Sequence, residues 1–389
     1  MIPRRLTPYI RKMLGKFPVV SLTGPRQSGK TTLLTHAFPD YKYYNLERMD
    51  HREMILSDPV GFLKTAGAKV IFDEAQNLPE LFSYIQTVSD ERNLPGQYIL
   101  SGSQSFLLHH HISQSLAGRV SINHLFPFDI TEIESIKNQE VCQTILNGFY
   151  PRLYDKDIAP EDFYPSYLET YIQRDVRTLK GIENLNTFSR FLSLCAGRIG
   201  QVLNLTSLAN DTGISVNTAK AWLSLLEASF IIYQVQPYYR NFSKRLIKSP
   251  KLYFYDTGVA CSLLKLTNPE MVRTHYLYGS LFENLVISEM IKYQSHTGKH
   301  PSVYYWRESN GVEIDCIVEK GNNEILALEI KGGQTFTKDY LKNLRNFSKN
   351  KDDVKMSKAI VYAGDQATVI GDTQLIPWRA LAAGINGLI

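Results

Sequence analysis

The chain has 389 residues, which is more than one hydrophobic core usually organises, so we expect two or three domains. Its composition, 43% hydrophobic and 21% charged, is typical of a soluble globular protein, and no apolar run approaches the roughly 20 residues of a membrane-spanning helix. The net charge of +5 is mild, so it permits nucleic acid as a partner without requiring it.

The N-terminus and the cysteines indicate the compartment. Residues 1–5 are basic, but no apolar segment of signal-peptide length follows them. Cys142, Cys195, Cys261 and Cys316 are far apart and form no C-x-x-C pair, which argues against a zinc site or a disulfide framework. We therefore expect a cytoplasmic protein that contacts no membrane.

Residues 24–31 read Gly-Pro-Arg-Gln-Ser-Gly-Lys-Thr, a complete G-x-x-x-x-G-K-[ST] phosphate-binding loop. Apolar residues in 17–22 predict a strand before it, and residues 31–34 predict a helix start after it, so a chance glycine turn is disfavoured. Lys30 would place a cation on the β and γ oxygens of a bound polyphosphate, and the Thr31 hydroxyl is the expected Mg²⁺ ligand. The predicted nucleotide-binding residues are Gly24, Pro25, Arg26, Gln27, Ser28, Gly29, Lys30, Thr31 and Thr32.

A second strand is predicted to deliver acids to the metal. Residues 70–72 are Val-Ile-Phe, a continuous apolar run typical of a strand buried on both faces of a parallel sheet. Asp73 at its end is a candidate Mg²⁺ ligand, and Glu74 is a candidate acceptor for the proton of an attacking water. The alternative is a strand that merely ends in acidic loop residues, and the spacing after the phosphate-binding loop disfavours it.

Two further segments offer polar groups to the same site. A third strand, residues 97–100, is followed by Ser101 and Ser103, either of which can contact the γ-phosphate or orient the water, or can simply form a turn. Arg119 follows a glycine turn and can stabilise charge in its own subunit or in a neighbouring one, which would require an oligomer. A surface arginine is an equally open interpretation.

Taken in order, residues 24–32, 71–76, 100–104 and 116–119 resemble the prokaryotic AAA-type ATPases of the archaeal-ATPase and STAND-related group. Residues 41–47 also resemble the second strand of that family. The resemblance implies ATP, Mg²⁺ and an α/β, RecA-like core in which the P-loop strand is central.

The middle of the chain is predicted to be helical. Leu168, Ile172 and Val176 have helical spacing and resemble a linker helix. Residues 205–227 read as helix, tight turn at 213–215 and second helix, and residues 230–235 read as a wing strand. This winged helix either binds DNA or only packs, and its groove-facing residues would be Ser215, Asn217, Thr218 and Lys220.

Residues 236–251 combine cations with aromatic residues. Such a mixture suits a phosphate backbone or a single strand, but a solvated loop between domains is equally open. The cations are Arg240, Lys244, Arg245, Lys248 and Lys251, and the aromatic residues are Tyr238, Tyr239 and Phe242.

The last part of the chain is predicted to be α/β, with a helix at 281–290 and strands at 303–306, 313–318 and 325–331. Alternation along the third strand places Glu329 and Lys331 on one face. Asp315 on the preceding strand can lie beside them, and Glu283 on the helix can complete an acidic cluster.

This constellation resembles the PD-(D/E)xK nuclease fold. The resemblance implies that Asp315 and Glu329 bind Mg²⁺, that Lys331 positions or activates water, and that Glu283 is an auxiliary ligand. A salt-bridged edge strand without catalytic activity would carry the same residues. The whole chain then resembles an AAA-type ATPase joined to a domain of unknown function 4143.

The predicted architecture is α/β with three domains. These are a RecA-like P-loop ATPase core at 1–135, a helical and winged-helix domain at 136–245, and a restriction-endonuclease-like domain at 246–389. The leading hypothesis is an ATP-hydrolysing protein that couples ATP to the binding or processing of DNA or RNA. The alternatives are a STAND-like signalling or defence switch with a non-catalytic recognition domain, and a nucleotide-dependent DNA-binding module.

Overall fold

The computed structural model describes residues 2–103, 112, 114–171, 184–238, 249–308, 311–348 and 355–381. The chain divides into two compact units. Unit 1 comprises residues 1–128, 228–230 and 294–300, and unit 2 comprises the rest.

Unit 1 contains a five-stranded parallel sheet in the order β2-β3-β4-β1-β5. The strands are β1 (Val19–Thr23), β2 (Lys42–Asn45), β3 (Val70–Asp73), β4 (Tyr98–Gly102) and β5 (Val120–His124). The helices are α1 (Thr7–Leu14), α2 (Lys30–Ala37), α3 (Met49–Ser57), α4 (Pro59–Ala66) and α5 (Leu81–Arg92), with a 3₁₀ turn at Ala75–Asn77.

The central strands of this sheet are buried on both faces. Every residue of β1, β3 and β4 is buried. Successive side chains enter different cores: Phe72 packs in one, while Ile71 packs in the other. This two-sided burial explains the uninterrupted apolar runs in the sequence, and it confirms the predicted α/β unit with a parallel sheet. β1 lies between β4 and β5. The phosphate-binding loop therefore follows an interior strand of the sheet and not an outer one.

Unit 2 contains an eight-stranded mixed sheet in the order β12-β13-β11-β10-β9-β8-β6-β7. β9 pairs antiparallel with both β8 and β10, whereas β10, β11 and β13 run parallel. The strands are β6 (Ile232–Pro237), β7 (Lys251–Phe254), β8 (Val303–Arg307), β9 (Glu313–Gly321), β10 (Glu324–Lys331), β11 (Lys355–Tyr362), β12 (Thr368–Ile370) and β13 (Thr373–Pro377).

Along the chain, the helices of unit 2 lie before β6, between β7 and β8, and between β10 and β11. They are α6 (Val141–Asn147), α7 (Pro151–Lys156), α8 (Pro160–Tyr171), α9 (Leu185–Ala196), α10 (Leu205–Thr212), α11 (Val216–Ala228), α12 (Thr257–Leu263), α13 (Pro269–Thr274), α14 (Tyr278–His296) and α15 (Lys342–Ser348). Within the described residues of this unit, 3₁₀ turns lie at Glu134–Asn138, Lys338–Leu341 and Trp378–Ala380. The linker-helix positions Ile172 and Val176 lie outside the described residues.

The predicted helix-turn-helix positions are helical, with Gly213 at φ +82° between α10 and α11. The strand predicted as a wing is β6. It pairs antiparallel with β7 and, through its last two residues, parallel with β8. β6 and β8 therefore share a sheet although the predicted boundary at 245/246 lies between them. The three-domain division and the winged-helix assignment stay predictions.

A buried carboxylate connects three helical segments of unit 2. Asp256 accepts hydrogen bonds from Phe149 N at 2.7 Å, Tyr164 Oη at 2.8 Å and Gly258 N at 3.0 Å. Burial raises the pKa of Asp256, and these donors counteract part of that effect. Gly148 lies directly against the network at φ +59°.

We expect Gly148→Ala to lower the free energy of unfolding of unit 2 by about 2–4 kcal/mol. A Cβ there would lie 2.1 Å from Tyr164 Oη and 2.3 Å from Asp256 Oδ1, which adds overpacking to the cost of a left-handed backbone. The control is Gly213→Ala, which has a similar φ of +82° but no neighbouring atom within 4 Å. Chemical denaturation measures both variants, and equal losses would contradict the role given to the Asp256 network.

Candidate nucleotide and metal sites

The phosphate-binding loop connects the end of β1 to the start of α2. Gly24 has φ +154°, and a Cβ there would lie 2.1 Å from the carbonyl oxygen of Leu125, so only glycine fits. The guanidinium of Arg4 holds the loop by donating to the carbonyl oxygens of Ser28 and Phe126, each at 2.7 Å. Arg4 lies in a short basic stretch without a motif, so nothing in the sequence indicates that it belongs to this site.

Two backbone carbonyl groups of the loop hold the Lys30 ammonium. Lys30 Nζ donates to the carbonyl oxygens of Gly24 at 2.9 Å and Pro25 at 2.8 Å, and its side chain is buried. Gln27 is exposed with φ +60°, and Arg26 is partly buried. Gly29 at φ +90° precedes α2, and Thr32 lies exposed in the first turn of that helix. The structure thus brings the lysine and the loop together as the motif predicts.

Asp73 is the point at which several hydroxyl groups meet. Its Oδ2 accepts hydrogen bonds from Thr31 Oγ1 at 2.6 Å and from Tyr43 Oη at 2.7 Å, and its Oδ1 accepts one from Ser101 Oγ. The side chains that meet at Asp73 all present oxygen atoms, and Mg²⁺ prefers oxygen ligands. The Thr31 hydroxyl and the Asp73 carboxylate therefore fit a hard divalent cation.

Tyr43 is a residue of this site that sequence analysis missed. Burial raises the pKa of Tyr43, and its hydrogen bond to Asp73 raises it further, so the hydroxyl stays protonated and donates to the carboxylate. Residues 41–44 contain three tyrosines, and no sequence pattern indicates which of them reaches the acid.

Glu74 is held by three donors. Its Oε2 accepts hydrogen bonds from Gln76 Nε2 at 2.6 Å, Ser103 Oγ at 3.0 Å and Ser103 N at 3.2 Å. Its backbone has φ +53°, a conformation that non-glycine residues rarely adopt. Ser103, which was predicted to contact the γ-phosphate or the water, is therefore bonded to the candidate base in this structure.

Arg119 is not brought to the loop of its own chain. β5 begins at Val120, which is paired with Val19 at the start of the parallel strand β1, whereas the loop follows the end of β1. Arg119 thus lies at the opposite edge of the sheet, on the order of 16 Å away along the strand. Its Nε and Nη2 donate to Asp90 Oδ1 at 2.6 Å and Oδ2 at 2.8 Å. A role in a neighbouring subunit stays a prediction.

A second cluster of charged residues lies on β9 and β10. Lys331 Nζ is 2.6 Å from Glu329 Oε2 and 3.3 Å from Asp315 Oδ2, and Asp315 Oδ2 also accepts from Ile330 N at 2.7 Å. Burial raises the pKa of Glu329, and the neighbouring Asp315 raises it further. The structure therefore brings together the three residues that the sequence places on adjacent strands.

Glu283 has a different set of partners. Its Oε1 accepts hydrogen bonds from Lys251 Nζ at 2.9 Å and Tyr253 Oη at 2.5 Å, and Lys251 also pairs with Glu313. Burial raises the pKa of Glu283, the nearby Lys251 lowers it, and Asp315 raises it. Lys251 therefore neutralises the residue that was predicted to be an auxiliary metal ligand.

The charges of this cluster do not balance. Its four carboxylates belong to Glu283, Glu313, Asp315 and Glu329, and its three cations are the ammonium groups of Lys251 and Lys331 and the guanidinium of Arg307, which is 3.2 Å from Glu313 Oε2. An excess of carboxylate oxygens fits a hard divalent cation. Asp315 and Glu329 are the two carboxylates best suited to hold one, since Glu283 and Glu313 share Lys251.

Two predicted nucleic-acid contacts are corrected by the structure. Lys251 was predicted to belong to an accessible basic segment, but its side chain is only 3% exposed and forms buried ion pairs. Tyr238 is 2% exposed and packs in a hydrophobic core, so it offers no surface for base stacking. The other cations of that segment and its remaining aromatic residues lie outside the described residues.

The predicted groove-facing residues of the helix-turn-helix have mixed roles. Ser215 Oγ accepts from Thr218 N at 3.0 Å and lies 2.8 Å from Thr218 Oγ1, so these two side chains cap the start of α11. Asn217 and Lys220 are exposed.

The family comparisons agree with the geometry of unit 1. Residues 16–134 match the model of an AAA domain. This match supports an AAA-type P-loop domain that binds nucleotide in this part of the chain. Residues 138–270 and 278–381 match two domains of unknown function, DUF8612 and DUF4143 respectively.

The curated relatives cover nearly the whole chain. The uncharacterized protein Rv2008c of Mycobacterium tuberculosis is 28% identical over 370 residues, which is 94% of this chain and 80% of that protein. The uncharacterized protein MJ1637 of Methanocaldococcus jannaschii is 24% identical over 417 residues, 94% of this chain and 84% of that protein.

Among solved structures, the Walker-type ATPase PABY2304 of Pyrococcus abyssi is 17% identical, with a TM-score of 0.46 over 68% of this chain and 96% of that chain. Within the described residues, no helix combines the length and the apolar character needed to cross a membrane.

We expect Lys251→Met to lower the free energy of unfolding by about 3–5 kcal/mol, because it leaves the largely buried carboxylates of Glu283 and Glu313 without their shared cation. Lys355→Met is the control, because Lys355 is 78% exposed and water screens its ion pair with Glu324. Chemical denaturation of both variants tests the difference. A loss for Lys251→Met no larger than that of the control would contradict the buried ion pairs.

Proposed function

We propose that this chain is a Mg²⁺-dependent ATPase whose hydrolytic site lies at the carboxyl edge of the unit 1 sheet. The hydrogen bond from Thr31 Oγ1 to Asp73 Oδ2, at 2.6 Å, is the observation that carries this proposal. This hydrogen bond joins the phosphate-binding loop to the acid at the end of β3, and the two residues are 42 positions apart. The AAA domain match over the same residues supports the proposal.

Each residue of the site has a role that follows from its position. The loop N–H groups and the N-terminus of α2 attract the phosphates, and the Lys30 ammonium neutralises the charge that develops on the transferred group. Bound Mg²⁺ supplies a positive charge to the phosphate oxygens, and Thr31 and Asp73 are the residues that would hold it. Glu74 accepts the proton of the attacking water, while Gln76 and Ser103 orient its carboxylate.

Substitutions at Lys30 and Glu74 separate binding from turnover. We expect Lys30→Ala to abolish ATP hydrolysis and weaken ATP binding, because the charge on the phosphates loses its partner. Glu74→Gln should keep ATP binding and reduce turnover about 10²–10⁴-fold, because the amide cannot accept a proton. Phosphate release and binding of a labelled nucleotide measure the two effects.

The matched control is Lys64→Ala, which removes a lysine whose side chain is 61% exposed on another helix of unit 1. This variant should hydrolyse ATP like the wild type. Unchanged turnover in Lys30→Ala would remove the phosphate-binding interpretation of the loop.

We further propose that unit 2 binds nucleic acid and cleaves it with a divalent cation held by Asp315 and Glu329. The convergence of these two carboxylates with Lys331 favours this function, because the lysine can orient a water while the carboxylates hold the metal. The metal would stabilise the negative charge of the phosphate that is attacked. On this proposal the nucleotide state of unit 1 controls access to the charged cluster of unit 2. We also propose that the protein is cytoplasmic.

The partners of Glu283 favour one alternative. Because Lys251 and Tyr253 already satisfy this carboxylate, the cluster has fewer free ligands than the nuclease resemblance implies. A STAND-like switch whose unit 2 recognises a partner without cleaving it remains a second candidate. A nucleotide-dependent DNA-binding module is the third.

Cleavage assays on single- and double-stranded DNA and RNA, with and without ATP, decide between these functions. Asp315→Ala should abolish cleavage because it removes a metal ligand, and Lys331→Ala should reduce it about 10²-fold or more because it removes the group that orients the water. Lys355→Ala, an exposed lysine on β11, should cleave like the wild type.

Cleavage that survives both Asp315→Ala and Lys331→Ala would exclude the cluster as the nuclease site. If no substrate is cut but DNA stimulates ATP hydrolysis, the DNA-binding module is supported. If neither occurs, the signalling switch is supported.

A further inference from the structure

An amphipathic segment on unit 2 presents three cations on one face. It comprises the 3₁₀ turn Lys338–Leu341 followed by α15. Its inner face carries Leu341, Leu344 and Phe347, which are buried in a hydrophobic core with residues of β9 and β10. Its outer face carries the exposed side chains of Lys338, Lys342 and Arg345.

These cations line a cleft of about 530 Å³. The other lining residues are Asp339, Asn346 and Ser348, so one carboxylate accompanies three positive charges. Among the residues that the structure describes, none forms an ion pair with Lys338, Lys342 or Arg345. The cleft therefore combines an excess of positive charge with the small hydrogen-bonding groups of an amide and a hydroxyl.

The cleft lies beside the charged cluster of β9 and β10. Burial raises the pKa of Glu329, and the amide of Asn343, which follows Lys342 on α15, lowers it in part. The segment that lines the cleft with Lys342 therefore also places Asn343 near Glu329.

We propose that this cleft binds the phosphodiester backbone of a nucleic-acid strand and guides the strand to the charged cluster. The three cations extend over about 10–12 Å of helix, which is long enough to face more than one phosphate group of a strand. Lysine and arginine are side chains that commonly contact backbone phosphates, and here they outnumber the single carboxylate of Asp339 by three to one. This inference rests on the proposed function, because the strand would be the substrate of the cluster.

The test is binding of labelled single-stranded DNA, and of RNA of the same sequence, to the full chain in EDTA, so that no divalent cation contributes. The variant is Lys338→Gln/Lys342→Gln/Arg345→Gln. The control is Lys137→Gln/Lys156→Gln/Lys355→Gln, which removes the same charge from three exposed lysines of unit 2. Thermal unfolding followed by circular dichroism verifies that both variants are folded.

We expect the cleft variant to lose about tenfold or more in affinity at low salt. The slope of log affinity against log salt should fall in magnitude by about 2, because each phosphate contact of a single strand contributes about 0.7. The control variant should bind nearly as the wild type. The affinities for DNA and for RNA should fall by the same factor if the cleft contacts only the backbone. A fall in affinity for only one of the two nucleic acids would identify that nucleic acid as the ligand.

Equal affinity and slope in the cleft variant and the control would overturn the inference. Competition by polyglutamate as effective as competition by DNA would also overturn it, because the cleft would then recognise an acidic polypeptide. Failure of the inference is distinguishable from failure of the proposed cleavage. Binding that depends on the cleft without any cleavage refutes only the nuclease, whereas cleavage that is unaffected in the cleft variant refutes only the cleft.

Discussion

Parallel pairing of β1 with β4 and of β4 with β3 is the constraint on which the nucleotide site depends. Because the three strands run in one direction, their carboxyl ends meet at one edge of the sheet. The loop after β1, Asp73 at the end of β3 and Ser101 in β4 therefore come together, although they are far apart in sequence. The same rule explains the position of Arg119, which precedes β5 and so lies at the opposite edge.

The two sites manage their charge in different ways. At the first site, hydroxyl and amide groups hold the two acids: Thr31, Tyr43 and Ser101 donate to Asp73, and Gln76 and Ser103 donate to Glu74. These donors fix the orientation of both carboxylates. At the second site, ammonium groups do much of this work, and Lys251 is deeply buried between Glu283 and Glu313. Removing one member of a buried ion pair destabilises a protein strongly, because the remaining charge is left buried without a partner. Replacing the whole pair with well-packed apolar side chains has a much smaller effect on stability.

Much of the fold followed from local patterns. The apolar runs predicted buried parallel strands in unit 1, and the alternation in residues 325–331 predicted that Glu329 and Lys331 share a face, as their ion pair requires. The helices at 205–212 and 216–228 also lie where their spacing indicated. The pairing of β6 with β8 did not follow, because the paired residues Gln236 and Tyr304 are 68 positions apart and such distant strand partners leave no local signature.

By itself, the sequence determined the chemistry of the loop, the acids at the end of β3 and the identity of the Asp315, Glu329 and Lys331 cluster, since each depends on residue type and short-range spacing. Only the tertiary structure decided which neighbours complete these sites. Tyr43 and Arg4 reach the loop site through contacts that no motif encodes. Lys251 reads as a surface cation in a basic run, yet folding buries it among carboxylates. Burial and charge pairing are properties of the packed chain, and a cation has the same sequence signal whether it faces water or an acid.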